Sequence, residues 1–122
     1  MKLVEIKPIL IVDSLWHTGR PRMTPEEEKQ YLHWDDEIHA DDLLRDSGVI
    51  RTTRYRDLDD RGTLHIQEYD SIDALQKYLV SERRKELIRE TNSHYLAGPD
   101  PKNFFEKRTA RCFIPASSKS LK

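Results

Sequence analysis

The strongest constraint in this sequence is the order in which strand-like and helix-like patterns alternate along it. Lys2 to Trp16 is rich in Val, Ile and Leu, with Leu10-Ile11-Val12 uninterrupted, and reads as a strand buried on both faces and bent at Pro8. His17 to Arg22 holds Gly19 and Pro21 and reads as a loop. Thr24-Pro25-Glu26-Glu27 is a helix start: Thr24 caps, Pro25 suits the first helical position, and Glu27 closes a capping box. Glu26, Glu27 and Glu28 also face the positive end of the helix dipole. The helix is expected to reach about Arg45 and to stop before Gly48, with Tyr31, Trp34 and Ile38 on one stripe and Leu32, His39 and Leu43 on the next. Val49 to Arg56 is a strand, Asp57 to Gly62 a turn, and Thr63 to Tyr69 an alternating third strand. Asp70 or Ser71 caps a second helix that carries Ile72, Leu75, Tyr78 and Leu79 and continues past a break at Ser81 through Leu87 and Ile88. Asn92 to Asn103 is expected to be irregular, Lys107 to Pro115 to form a fourth strand, and Ala116 to Lys122 to be a frayed polar tail.

The order β-α-β-β-α-β is the ferredoxin-like motif: an α+β fold with a four-stranded antiparallel sheet and both helices on one face. One such domain accounts for residues 1–122, with 116–122 as a flexible tail. The motif leaves the other face of the sheet bare. Hydrophobic residues make up only 36% of the chain and glycines add four, which is short of the usual share of roughly 45–50%. A second copy covering the bare face would complete this thin core, so a homodimer is expected.

Several classes are disfavoured. No apolar run approaches the roughly 18 residues of a membrane span. Lys and Arg number 21 against 22 Asp and Glu, a net charge of −1, which argues against nucleic-acid binding driven by bulk charge. The RNA-recognition domain shares the strand order but stacks bases on aromatics at strand centres, and Thr63 to Tyr69 offers none there. The single cysteine, Cys112, excludes an intrachain disulfide and a Cys-based zinc cluster, and in an apolar strand it is expected to be buried. Glu5 interrupts the apolar stretch a signal peptide needs, so a cytoplasmic protein is expected. No Gly-rich phosphate loop points to a nucleotide cofactor, and the scattered histidines give no metal-ligand spacing, so no cofactor and no metal are expected.

The segment Trp34-Asp35-Asp36-Glu37-Ile38-His39-Ala40-Asp41-Asp42-Leu43-Leu44, followed by Gly48-Val49 and Arg54-Tyr55-Arg56, resembles the dimeric α+β barrel superfamily, and within it the EthD-like group and its uncharacterised relatives. Ile66-Gln67-Glu68-Tyr69-Asp70-Ser71-Ile72-Asp73-Ala74-Leu75 is similar to the strand-then-helix segment of that group. The superfamily includes cofactor-free oxygenases, isomerases, haem-linked enzymes and proteins with no known reaction. The resemblance therefore implies a fold and a small-molecule site more than one activity. One departure is clear: the group usually has Pro two residues after the His, and here that position is Asp41.

His39 is the main candidate for chemistry. Asp35 lies four residues before it and Asp36 three, so on an α-helix either can face it, favour the protonated ring and fix its orientation. Such a pair abstracts a proton from an acidic carbon or orients a phenolate. The plainer reading is a helix-end His among charges, with Trp34 packing helix on sheet instead of walling a pocket. Arg51, Thr53 and Tyr55 share one face of the second strand, and His65, Gln67 and Tyr69 share one face of the third. If these sets face inward, Arg51, Tyr55 and His65 line a cavity suited to a small, partly aromatic, oxygenated molecule. The resulting expectation is a small-molecule-binding dimer that acts as a cofactor-independent oxygenase, isomerase or cyclase. The alternative is a non-catalytic dimeric binding or accessory module. Asp57-Leu58-Asp59-Asp60-Arg61-Gly62, with Glu68 beyond, mimics a calcium loop. Arg61 places a cation at a ligand position and strands flank it, so it reads as a hairpin turn.

Overall fold

The computed structural model describes residues 2–3, 5–18, 23–95 and 104–121. In chain order they form β1 (Lys2–Leu3), β2 (Ile9–Trp16), α1 (Pro25–His33), a π-helical segment (Trp34–His39), α2 (Ala40–Asp46), β3 (Val49–Arg56), β4 (Gly62–Tyr69), α3 (Ile72–Leu79), α4 (Glu82–Tyr95), β5 (Phe105–Phe113) and β6 (Lys119–Ser120). The main sheet has the order β3-β4-β2-β5 with every pair antiparallel. This is the ferredoxin-like α+β fold. No helix among the described residues is long and apolar enough to cross a membrane.

The local signals explain where the elements begin and end. Thr24 Oγ1 accepts from the Glu27 amide, and Glu27 Oε1 accepts from the Thr24 amide, a complete capping box. Gly48 follows α2 at φ +77°, the left-handed conformation that releases the chain into β3. Ser71 caps α3 by accepting from the Ala74 amide. The break after α3 is made by Ser81, whose hydroxyl donates to the Tyr78 carbonyl at 2.7 Å and accepts from the Arg84 amide.

Cross-strand register sorts the side chains into two faces, since partners in a ladder point the same way. Leu10 pairs with Gln67 and Cys112, Val12 with His65 and Ala110, and Ser14 with Thr63 and Arg108. These residues face the helices. There Leu10, Val49 and Tyr69 pack against Leu43, Leu75, Tyr78 and Leu87 to form the main core. A smaller cluster of Trp16, Tyr31 and Phe105 closes the other end, with Trp16 stacked on Phe105 at 4.6 Å. The opposite face carries Ile9, Ile11, Leu64 and Ile66, half-buried, with Leu15, Tyr55 and Phe113 exposed around them.

Several expectations are corrected. The first strand is not continuous from Lys2: β2 starts after Pro8, and Lys2–Leu3 pairs instead with Lys119–Ser120, inside the segment expected to fray. The second helix runs to Tyr95, past the expected irregular start at Asn92, while 96–103 lie outside the described residues. The fourth strand spans Phe105–Phe113, two residues earlier at its start than expected, and Cys112 on it is exposed because β5 is an edge strand. The largest difference is inside the first helix. Trp34–His39 is π-helical, with the Ala40 amide donating to the Asp35 carbonyl five residues back. The widened turn shifts the stripe, so Asp35 is buried while Ile38, expected in the core, is 46% exposed.

Candidate functional site

The π-helical segment, β3 and β4 build a charged cluster around Asp35. Arg54 and His65 are direct register partners, so both side chains rise from the sheet toward the helix. His65 Nε2 lies 2.8 Å from Asp35 Oδ2, and Arg54 Nη1 donates to the same oxygen at 3.0 Å. Arg54 also spans Asp36, with Nη1 2.8 Å from Oδ1 and Nη2 3.1 Å from Oδ2. Burial, the largest influence on Asp35, acts to raise its pKa. The hydrogen bond and charge of His65, with Arg54 and His39, outweigh it and hold the carboxyl below its ordinary value. Asp35 is thus an anion, and an anion can only accept. The proton shared with His65 therefore lies on Nε2, and His65 Nδ1 is buried without a hydrogen-bond partner.

His39 sits one π-turn from Trp34, and the two rings stack at 4.8 Å with their planes 11° apart. In an α-helix, residues five apart diverge by roughly 140° and could not stack, so this contact is a product of the π-turn. Burial pushes the His39 pKa below the ordinary histidine value. Asp35 opposes this, and His65 and Arg108 reinforce it. The carboxylates expected to favour the protonated ring are thus opposed by burial, which outweighs them. His39 is a neutral imidazole near pH 7, and its Nδ1 is buried with no hydrogen-bond partner. The two carboxylates expected as alternative partners of His39, Asp36 or Asp35, are hydrogen-bonded elsewhere. Asp36 is held by Arg54 and Asp35 by His65, since the i,i+3 and i,i+4 geometry of an α-helix does not apply across a π-turn.

Three cavities meet at His39. The first, about 190 Å³, lies between the sheet and α4, with Leu10, Val12, Leu43, Leu87 and Ile88 as apolar wall and Gln67, Thr91, Arg84 and Arg108 as polar lining. The second, about 20 Å³, is bounded by Ser14, Tyr31, Trp34, Asp35, His65 and Gln67. The third, about 250 Å³, is flanked by Asp36, Asp41, Thr52 and Arg54. His39 borders all three.

The structure therefore brings together Trp34, Asp35, His39 and His65, with Asp36 at the rim. It does not bring Arg51 and Tyr55 to them. Those side chains register with Glu68 and Leu64 on the opposite face, where Arg51 lies 3.5 Å from Glu68 and Tyr55 is exposed. Strand alternation groups Arg51 with Tyr55 and His65 with Gln67, but it does not say that the two groups lie back to back. Sequence reasoning passed over Arg54, Arg84 and Arg108 as site residues. Arg54 carries a signal in hindsight: it is the strand neighbour that takes the face Arg51 and Tyr55 do not. Among the described residues, no group of three or more His, Cys, Asp or Glu side chains is placed to hold a metal ion. In the calcium-like loop, the Asp57 carboxylate accepts from the Asp59 and Arg61 amides and from Arg61 Nε, which closes a hairpin turn.

No family model and no curated protein matches the sequence. Solved structures match the fold throughout. A monooxygenase from the gene ActVA-Orf6 of Streptomyces coelicolor, solved in complex with nanaomycin D, aligns with a TM-score of 0.64 at 12% identity, over 96% of this chain and 94% of that one. SnoaB, a cofactor-independent oxygenase from Streptomyces nogalater, aligns at 0.58 and 15% identity, over 96% and 98%. An EthD family protein from Bacillus halodurans aligns at 0.60 and 14% identity, over 91% and 100%. The chain thus has the ferredoxin-like fold of the antibiotic-biosynthesis monooxygenases and EthD proteins, the fold of the dimeric α+β barrels.

Proposed function

We propose that the chain is a cytoplasmic homodimer that binds a small oxygenated, partly aromatic compound between its sheet and its helices. It acts on that compound without a cofactor, with His39 as the base. One observation carries the reading: His39, stacked on Trp34, borders three cavities and holds a buried, unpartnered Nδ1. A neutral ring has a lone pair to accept a proton from an acidic C–H or a phenol O–H. The imidazolium so formed gains the attraction of the Asp35 anion, and Arg54 and His65 hold that anion in place. The Trp34 stack fixes the ring plane, so the proton is taken along one direction. Deprotonation of this kind opens oxygenation, isomerisation and cyclisation alike. Folds of this type in proteins described as a monooxygenase, a cofactor-independent oxygenase and a hydroxynitrile lyase support the reading.

The dimer is supported by the sheet face away from the helices. Ile9, Ile11, Leu64 and Ile66 form its centre, and Leu15, Tyr55 and Phe113 are left exposed beside them. The test of the site is paired. Small phenols and quinones are titrated into wild type and His39→Ala, and melting is followed in both. Loss of binding or turnover with the melting temperature nearly unchanged is expected. Equal binding and equal turnover in the two would remove His39 from the chemistry.

A further inference from the structure

The cavity beside α4 has two arginines, Arg84 and Arg108, in its lining. Arg45, Arg51, Arg54, Arg61 and Arg83 each lie within ion-pair distance of an Asp or Glu. Arg84 and Arg108, which line this cavity, form no ion pair among the described residues. Arg84 Nη1 reaches only the Leu79 carbonyl at 3.4 Å, and Arg108 Nε donates to Ser14 Oγ at 3.1 Å. Asp35 acts on Arg108 from a distance, but Asp35 Oδ2 is already shared by His65 and Arg54. Among the described residues, no carboxylate side chain belongs to the lining. Two residues of the lining, Gln67 and His39, each hold a buried polar atom without a partner, Oε1 and Nδ1, and Gln67 is only 6% exposed. Buried polar atoms normally have partners, so two orphans on residues of one lining are groups whose partners a ligand would supply.

The dimensions narrow the occupant. A cavity of about 150 Å³ lined by aliphatic side chains holds a benzene ring, and this one is about 190 Å³ with five aliphatic walls. Resting on the small-molecule reading above, we propose that the cavity takes a single-ring hydroxylated aromatic carboxylate. Arg84 and Arg108 meet its carboxylate, and its hydroxyl donates its one proton to His39 Nδ1 or to Gln67 Oε1. The planar guanidinium fork suits a carboxylate, and a monoanion leaves the aromatic body to the aliphatic walls.

The probes are the three hydroxybenzoates and their amides, which match in shape and differ in charge, together with phenyl phosphate. Each is titrated calorimetrically at low salt into the full chain. The acid is expected to bind about 10–100-fold more tightly than its amide, the gain of a charge-assisted contact. That ratio is expected to collapse toward unity in Arg108→Met or Arg84→Met and to persist largely in Arg84→Lys, with melting curves recorded to show that each variant is folded. Ring resonances of His39 should shift on binding. Equal affinity for acid and amide in wild type would overturn the charge assignment and leave cavity binding standing. An acid preference that survives both methionine variants, or tighter binding of phenyl phosphate than of every carboxylate, would overturn it too. Failure of every probe to bind would overturn this assignment, and binding of the phenols and quinones would then show that the small-molecule reading stands without it.

Discussion

Replacing Arg54 with Met tests the charged cluster that underlies the site. Met keeps most of the aliphatic stem and removes the guanidinium. The Asp35 carboxylate is 7% exposed, so it cannot turn to water for the lost partner, whereas Asp36, at 52%, can. Removing one partner of a buried pair costs about 3–5 kcal/mol when the other is stranded. Here His65 stays at 2.8 Å from Asp35, so the expected loss is smaller, about 2–3 kcal/mol. For a chain of this length each kcal/mol is worth about 4 °C, so the melting temperature should fall by about 8–12 °C. Asp35→Asn removes the buried charge, so adding Arg54→Met to it should cost much less than Arg54→Met alone. The cycle should return a coupling of about 1 kcal/mol or more.

The pH dependence separates electrostatics from packing. Asp35 has its folded pKa depressed below the ordinary carboxylate value. A depressed carboxylate contributes stability that is present above its unfolded pKa and is lost as pH falls through the lower folded pKa. Arg54→Met shrinks the depression. The gap between wild type and variant should therefore be full near neutrality and should close as pH drops below the ordinary Asp range. Denaturant melts at about pH 7 and about pH 3 measure it. A gap of the same size at both values, or one under about 0.5 kcal/mol at neutrality, would refute the reasoning.

Three further outcomes are expected. In an NMR titration, His39 should protonate with a midpoint below the ordinary histidine value, because burial outweighs Asp35; a midpoint above it would mean that the carboxylates prevail. Millimolar calcium should leave the melting temperature unchanged, because Arg61 occupies the Asp57 carboxylate; a rise that Asp57→Ala abolishes would contradict this. The chain should sediment as a dimer, and Ile11→Glu, at the centre of the open sheet face, should reduce it to a species near 14.5 kDa; a wild-type mass of 14.5 kDa at micromolar concentration would sink the dimer.

The parts of the fold that could be read in the sequence are those with a local physical cause. Thr24 and Glu27 cap because their side chains reach amides three residues away, Gly48 ends α2 because it tolerates positive φ, and Asp57 to Gly62 turns because Asp57 captures its own loop. Gly62 shows the limit of such signals. A Cβ there would run into the Ser14 carbonyl of β2, a constraint set by a strand far away in sequence. Which face of β3 lies under the helices is equally non-local. It follows from the pairing of Arg54 with His65, and for that reason Arg51 and Tyr55 read as site residues in the sequence and lie outside the site in the fold.

The π-turn is the step that turns a legible helix into a site that could not be read. Nothing in Trp34 to His39 breaks a helix outright, since it holds neither Gly nor Pro, and an α-helix through it would put Tyr31, Trp34 and Ile38 on one stripe. One extra residue in the turn changes three things together. It carries Asp35 inward to Arg54 and His65, releases Ile38 to solvent and lays His39 over Trp34. A π-turn has poorer local geometry than the α-turn it replaces, so it persists only where tertiary contacts favour it. Those contacts are the ion pair of Asp35 with Arg54 and its hydrogen bond with His65, to which the stack of His39 on Trp34 adds from within the segment. The same contacts orient the base in the proposed mechanism. The arrangement that orients His39 therefore also holds the helix in its unusual winding, and the segment alone does not encode it, because Arg54 and His65 lie on β3 and β4.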